Sequence, residues 1–185
     1  NEINVGFASS SNGGASWNIT ERAFSMSGIV GILTEKQSIR VNGLPRIAVD
    51  NSNTSTRGNI YIITAQKNLL PAGSDPDIIL RRSTDGGVNW SSAIRVNRDA
   101  LNNNKFQFFT GITVDTFGGV NVIFYDDRNT TSDSSAIFLA RSTEAGNTWT
   151  EYQISDHNFK PNAIGGLGQG YMGDNIDITS VENKL

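Results

Sequence analysis

Apolar residues in this chain come in short runs of strand length separated by turn-forming residues, and no stretch between them keeps a helical period. Runs at 3–8, 78–82 and 136–141, with shorter ones at 93–96 and 152–154, each match one β-strand. Two more candidate strands precede the second and third long runs. Arg46-Ile47-Ala48-Val49-Asp50 leads through a polar turn to Gly58-Asn59-Ile60-Tyr61-Ile62-Ile63, and Gly111-Ile112-Thr113-Val114-Asp115 leads through Gly118-Gly119 to Val120-Asn121-Val122-Ile123-Phe124. The pattern predicts four-stranded antiparallel meanders, and without helical crossovers a parallel α/β sheet is excluded.

One octet recurs where the third strand of each unit gives way to the fourth. It reads Ser10-x-Asn12-x-Gly14-x-Ser16-Trp17, then Ser83-x-Asp85-x-Gly87-x-Asn89-Trp90, then Ser142-x-Glu144-x-Gly146-x-Thr148-Trp149. The hydroxyl and the second polar side chain are suited to accept backbone N–H groups of a tight turn, and the glycine can take a positive φ. The closing Trp offers an apolar wedge between sheets, with an N–H expected to find a carbonyl. This is scaffold chemistry, repeated three times.

From Ser10 to Ser83 is 73 residues, and from Ser83 to Ser142 is 59. The letters Ile94-Arg95-Val96-Asn97 recur at Ile39-Arg40-Val41-Asn42, which places the first unit's outer strand late, after an insertion of about 20–37. Stacked four-stranded meanders of this period are the blades of a β-propeller. The expected organisation is one propeller domain: a partial first blade at 1–43, complete blades at 44–105 and 106–160, and the start of another at 161–185, where 171–185 reads as inner strand. A closed propeller has at least about four blades, so the fold class is all-β, a partial propeller forming an arc of a larger, six-bladed ring. Its expected partners are the remaining blades, from the parent chain or a partner subunit.

Composition narrows the classes. A 37% hydrophobic content suffices for a β core, and 19 glycines supply turns. No apolar run is long enough for a membrane-spanning helix, so no membrane insertion is expected. The absence of cysteine excludes disulfides and thiolate chemistry. A net charge of -3 and a pI near 5.1 argue against nucleic acid. The start at Asn1, with no signal-peptide pattern, is what a mature or excised fragment predicts.

The octets resemble the Asp box, or BNR repeat, of sialidases (the neuraminidase superfamily) and of many secreted bacterial propellers. Pro45-Arg46-Ile47-Ala48-Val49-Asp50, Asp75-Pro76-Asp77-Ile78, Tyr125-Asp126-Asp127-Arg128 and Gly173-Asp174 are similar to motifs of bacterial sialidase-like proteins. The Asp box specifies the fold far more than the activity, because enzymes and non-enzymatic binders share it. The resemblance implies a secreted or cell-surface bacterial protein. Sialidase chemistry would need three arginines clamping a carboxylate, a Tyr nucleophile activated by Glu, and an acidic Asp, drawn from several blades. Half a ring does not supply them all.

Five residues are the candidates for chemistry: Arg46, Asp127, Arg128, Tyr171 and Asp174. Arg46-Ile47 is similar to the Arg-Ile-Pro motif of sialidases, although here alanine follows and the proline precedes. Gly111 aligns with Arg46 in the next unit, so the repeat itself does not require an arginine. Arg128 reads either as an anion clamp beside an acidic Asp127 or as a structural partner of Asp127 or Asp174. Gly168 to Asn175 is a glycine-rich turn that could bring Tyr171 and Asp174 to the central mouth, without phosphate-loop spacing. His157, the one histidine, reads as an exposed connector. No metal site and no cofactor are expected; Asp75, Asp77, Asp126 and Asp127 are oxygen donors for calcium, but none has EF-hand spacing.

The resulting expectation is a secreted sialidase-like propeller acting as a binding or structural module, contacting glycans or cell-surface proteins. The alternative is a fragment of an exo-sialidase, a glycoside hydrolase acting on terminal sialic acids.

Overall fold

The computed structural model describes residues 2–36, 38–131, 133–181 and 184–185, with Glu35 described in its backbone only. Every regular element among them is a strand, apart from one 3₁₀ turn at Thr34–Lys36. A first hairpin joins β1 (Asn4–Ser9) to β2 (Asn18–Ser25), and a second joins β3 (Val30–Leu33) to β4 (Ile39–Asn42). Two four-stranded meanders follow. The first is β5 (Arg46–Val49), β6 (Ile60–Gln66), β7 (Asp77–Ser83) and β8 (Ile94–Arg95); the second is β9 (Gln107–Val114), β10 (Val120–Asp126), β11 (Ala136–Ser142) and β12 (Thr150–Gln153). Both sheets are antiparallel throughout.

The three octets form the β1–β2, β7–β8 and β11–β12 turns, and their hydrogen bonds repeat. Ser10, Ser83 and Ser142 each accept the N–H of the glycine four residues on, at 2.8, 2.9 and 2.9 Å. Asn12 and Asp85 each accept the backbone N–H four residues on at 2.9 Å, whereas Glu144, one methylene longer, takes the Thr148 hydroxyl. Two consecutive residues per turn have positive φ: Gly13 and Gly14, Gly86 and Gly87, Ala145 and Gly146.

Alternation along β6 explains why this strand is buried on both faces. Tyr61, Ile63 and Ala65 point into the main core with Phe108, Ile112 and Phe124, while Ile62 meets Val5 and Met26 on the other side. β9 lies across β5, β6 and β7. The first meander is therefore sandwiched between the β1–β2 hairpin and the second meander. Two octet corners press on the preceding sheet: a Cβ on Gly87 would run into the Phe7 ring of β1, and one on Gly146 would stand 3.1 Å from Leu80 of β7.

Three expectations are corrected. The first outer strand is β2, paired directly with β1 after the octet, and Ile39–Asn42 pairs instead with Val30–Leu33. Residues 20–25 thus complete a strand, and the excursion is the β3–β4 hairpin; Gln37, its expected end, lies outside the described residues. The indoles form no hydrogen bonds: Nε1 of Trp90 and of Trp149 is buried without a partner. Trp90 instead meets the edges of Phe7 and Phe24, at centroid distances of 5.4 and 5.1 Å, while Trp17 is 57% exposed. Residues 171–181 form no strand in any sheet, because they run against β9 face-on, with Ile176 and Asp177 backbone over Gly111, rather than edge to edge.

Gly14 and Gly87 separate backbone strain from packing. Gly14→Ala should cost roughly 1–2 kcal/mol for the positive φ alone, and Gly87→Ala a further 1–3 kcal/mol or so because Phe7 must move. Urea melts showing equal losses would refute the close approach. A second test is acidic. The Asn89 backbone N–H first, then the Asn89 side chain and Ser83, lowers the Asp85 carboxyl from 3.8 to about 2. Its contribution is thus complete above pH 3.8 and lost as pH falls toward 2. Wild type should lose melting temperature relative to Asp85→Asn across that window, since Asn12 already fills the same role in the first octet.

Candidate functional site

In an up-and-down meander the starts of β5, β7, β9 and β11 share one end of the sheets with the finishes of β6 and β10. That end carries Arg46, Gln66, Asp77, Gln107, Asp126 and Asp127, and it holds most of the charged chemistry.

Arg128, just past β10, is enclosed. Its NH1 and NH2 fork onto Glu151 at 2.8 Å each, its Nε donates to Asp126 at 2.8 Å, and its guanidinium lies 4.5 Å over the Phe138 ring. Burial alone would lower the Arg128 pKa, but Glu151 and Asp126 more than reverse that and move it up. Asp126 is pushed up by burial, against the opposing pull of Arg128. The fork geometry is that of a charged pair, and the guanidinium has no free edge for a ligand anion. Its partners are Asp126 and Glu151, not Asp127 or Asp174.

Asp127 is engaged elsewhere. Its Oδ2 meets the ammonium of Lys36 at 2.7 Å, and its Oδ1 accepts the Phe106 N–H at 2.6 Å. Lys36 is fully buried and also donates to the Ser134 carbonyl. The 3₁₀ turn of the β3–β4 hairpin therefore reaches over the sheet end and clasps the loop after β10. A continuous polar seam lies nearby, where Arg95 holds Asp77 at 2.6 Å and Asp99 at 3.0 Å, and Asn97 bridges Asp77, Asp99 and Gln107.

Arg46, Tyr171 and Asp174 come together with the C-terminal segment. The Arg46 guanidinium donates to the Asn175 side chain, and Tyr171 donates its hydroxyl to Asp174. That bond raises the Tyr171 pKa. Arg40 N donates to the Gly170 carbonyl at 2.9 Å, Arg40 lies 5.5 Å from the Tyr171 ring, and Asn42 donates to the Asp174 carbonyl at 3.1 Å. Beside them is a groove of about 400 Å³ lined by Pro45, Arg46, Ile47, Ile112, Asn175, Ile176 and Asp177. A half-exposed guanidinium, an amide and a carboxylate face apolar walls there, which suits a polar ligand with a hydrophobic face.

Sequence reasoning missed Lys36, Glu151, Asn175 and Asp177. No local signal marks them, because Lys36, Glu151 and Asn175 meet their partners across the fold and Asp177 joins the groove only where the C-terminal segment lies over β9; Lys36 and Ser134 are 98 residues apart. His157 is exposed and bonded to neighbouring Asp156, as a connector would be.

No family model matches the chain, and no curated protein does. Among solved structures it is similar to the Hadza microbial sialidase Hz136, with a TM-score of 0.54 and 20% identity over 80% of this chain and 30% of that one. The fold is sialidase-like. The chain spans about 30% of that sialidase's length.

The two arginines separate structural from ligand-facing roles. Arg128→Ala should lose about 3–5 kcal/mol of stability because it leaves the buried Asp126 and the half-buried Glu151 without their counter-charge, whereas Arg46→Ala should stay within about 0.5 kcal/mol. Chemical denaturation of both variants decides it; a small loss at Arg128 would contradict the enclosure.

Proposed function

We propose that the chain is an arc of an Asp-box propeller and acts as a secreted bacterial binding or structural module, contacting glycans or cell-surface proteins. In this reading 1–43 is a partial first blade, 44–105 and 106–160 are complete blades and 161–185 starts a further one, the first and last being completed by strands outside the arc. The matching hydrogen bonds of the three octets and the sialidase-like fold support it. The free edge of β1 and the exposed Trp17, Ile47 and Val49 beside it form an apolar face that further strands would cover.

The carrying observation is the enclosure of Arg128: the densest charged cluster is consumed by its own partners and ties strands β10 and β12 together. Of the two candidate arginines, Arg46 alone is open to a groove ligand. Hydrolysis of a sialoside would need more arginines than that. The exo-sialidase reading is favoured by one feature, the placing of Arg46 near the Tyr171–Asp174 pair.

The test is a glycan-array screen combined with a fluorogenic sialoside assay, on this chain and on any longer polypeptide that carries it. Glycan binding reduced about tenfold by Arg46→Ala, one lost charge-assisted contact, and no turnover are the expected results. Turnover abolished by Arg46→Ala would replace the module by the enzyme.

A further inference from the structure

We propose that the loops 73–77 and 99–104 form a calcium site led by Asp75. Asp75 is only 6% exposed, and its Oδ2 is buried with no hydrogen-bond partner. Leaving a carboxylate in that state is costly unless a cation or donor meets it. The neighbouring carboxylates are already matched. Asp77 receives Arg95, Asn97 and the Gly73 N–H, and Asp99 receives Arg95, Asn97 and Asn103.

The position of Gly73 shows where the second carboxylate oxygen of Asp75, Oδ1, lies. A Cβ placed there would stand 2.7 Å from Asp75 Oδ1 and 2.7 Å from Asn102 Oδ1, so oxygens from both loops converge on a spot that glycine leaves open. The Ser74 N–H and hydroxyl, donating to Asn102 Oδ1 at 2.8 and 3.1 Å, hold that amide oxygen against the first loop. Charge points the same way. Asp77 and Asp99 share one arginine, Arg95, while Arg128, 3.9 Å from Asp99, is committed to Asp126 and Glu151, and Asp75 makes no ion pair among the described residues. The excess suits a divalent cation.

The donors are all oxygen, which selects a hard cation over a thiophilic or imidazole-seeking one. Calcium accepts an irregular set of carboxylate, amide and water oxygens, whereas magnesium demands a near-ideal octahedron. Among the described residues no three Asp, Glu, His or Cys side chains gather as a metal cluster. The site therefore rests on Asp75, Asn102, neutral oxygens of the two loops and water, and belongs with weak extracellular sites of Kd about 10⁻⁴–10⁻³ M. The first loop joins β6 to β7 and the second joins the two meanders, so bound calcium would brace the connection between the sheets.

The test is calorimetric titration and thermal melting of the chelator-treated chain with calcium and, separately, magnesium. Calcium should raise the melting temperature and magnesium should do so far less. Asp75→Asn should abolish the calcium response, and in metal-free buffer it should melt no lower than wild type, because it removes an unmatched charge. Gly73→Ala, at a position without positive φ, should fill the cradle and weaken calcium at least about tenfold, which keeps the test decisive if Asp75→Asn fails to fold. No heat and no melting shift in wild type up to about 10 mM calcium, well above the expected Kd, would overturn the site. So would a full calcium response in either variant.

Discussion

The contact on which this structure depends is the hydrogen bond from a glycine N–H to the serine hydroxyl four residues before it, made in each of three octet turns. That bond folds the turn so tightly that the glycine carries a positive φ and its bare Cα becomes the leading point of the corner. In the second and third octets that point rests on the preceding sheet, against Phe7 and Leu80. A methyl group would hold the sheets apart. Their close stacking follows, and with it the burial of β6 on both faces and the passage of β9 across β5, β6 and β7.

Stacked sheets bring the charged ends of their strands into a space with little water, and electrostatics then decides the fate of each side chain. Arg128, Asp126 and Glu151 neutralise one another, as do Lys36 and Asp127, and Arg95 with Asp77 and Asp99. Such pairs hold register between elements more than they add net stability, since desolvation offsets much of the attraction. Residues that look reactive in the sequence are thereby turned into fasteners. Arg46 escapes because it stands at the edge strand of its sheet, where a groove remains open.

The strands and the octet turns were legible because both depend on local order: side-chain alternation and the need for glycine at positive φ are written in adjacent residues. The repeated letters at Ile39–Asn42 misled for the same reason. Identical local sequence pairs with whichever strand is nearest, and for β4 that strand is β3 of its own hairpin, not β1. The carbonyl expected for the tryptophan N–H was also a local inference. Aromatic packing with Phe7 and Phe24 took its place for Trp90.

By itself the sequence determined an all-β chain, the order of its meanders and the chemistry of its corners, all set by interactions spanning a few residues. The tertiary structure alone decided which charges meet: Lys36 with Asp127, Arg128 with Glu151, Arg46 with Asn175, and Asp75 with none. Those pairings depend on distances between loops far apart in the chain, and a carboxylate or guanidinium has the same local sequence whether it ends up matched, enclosed or open.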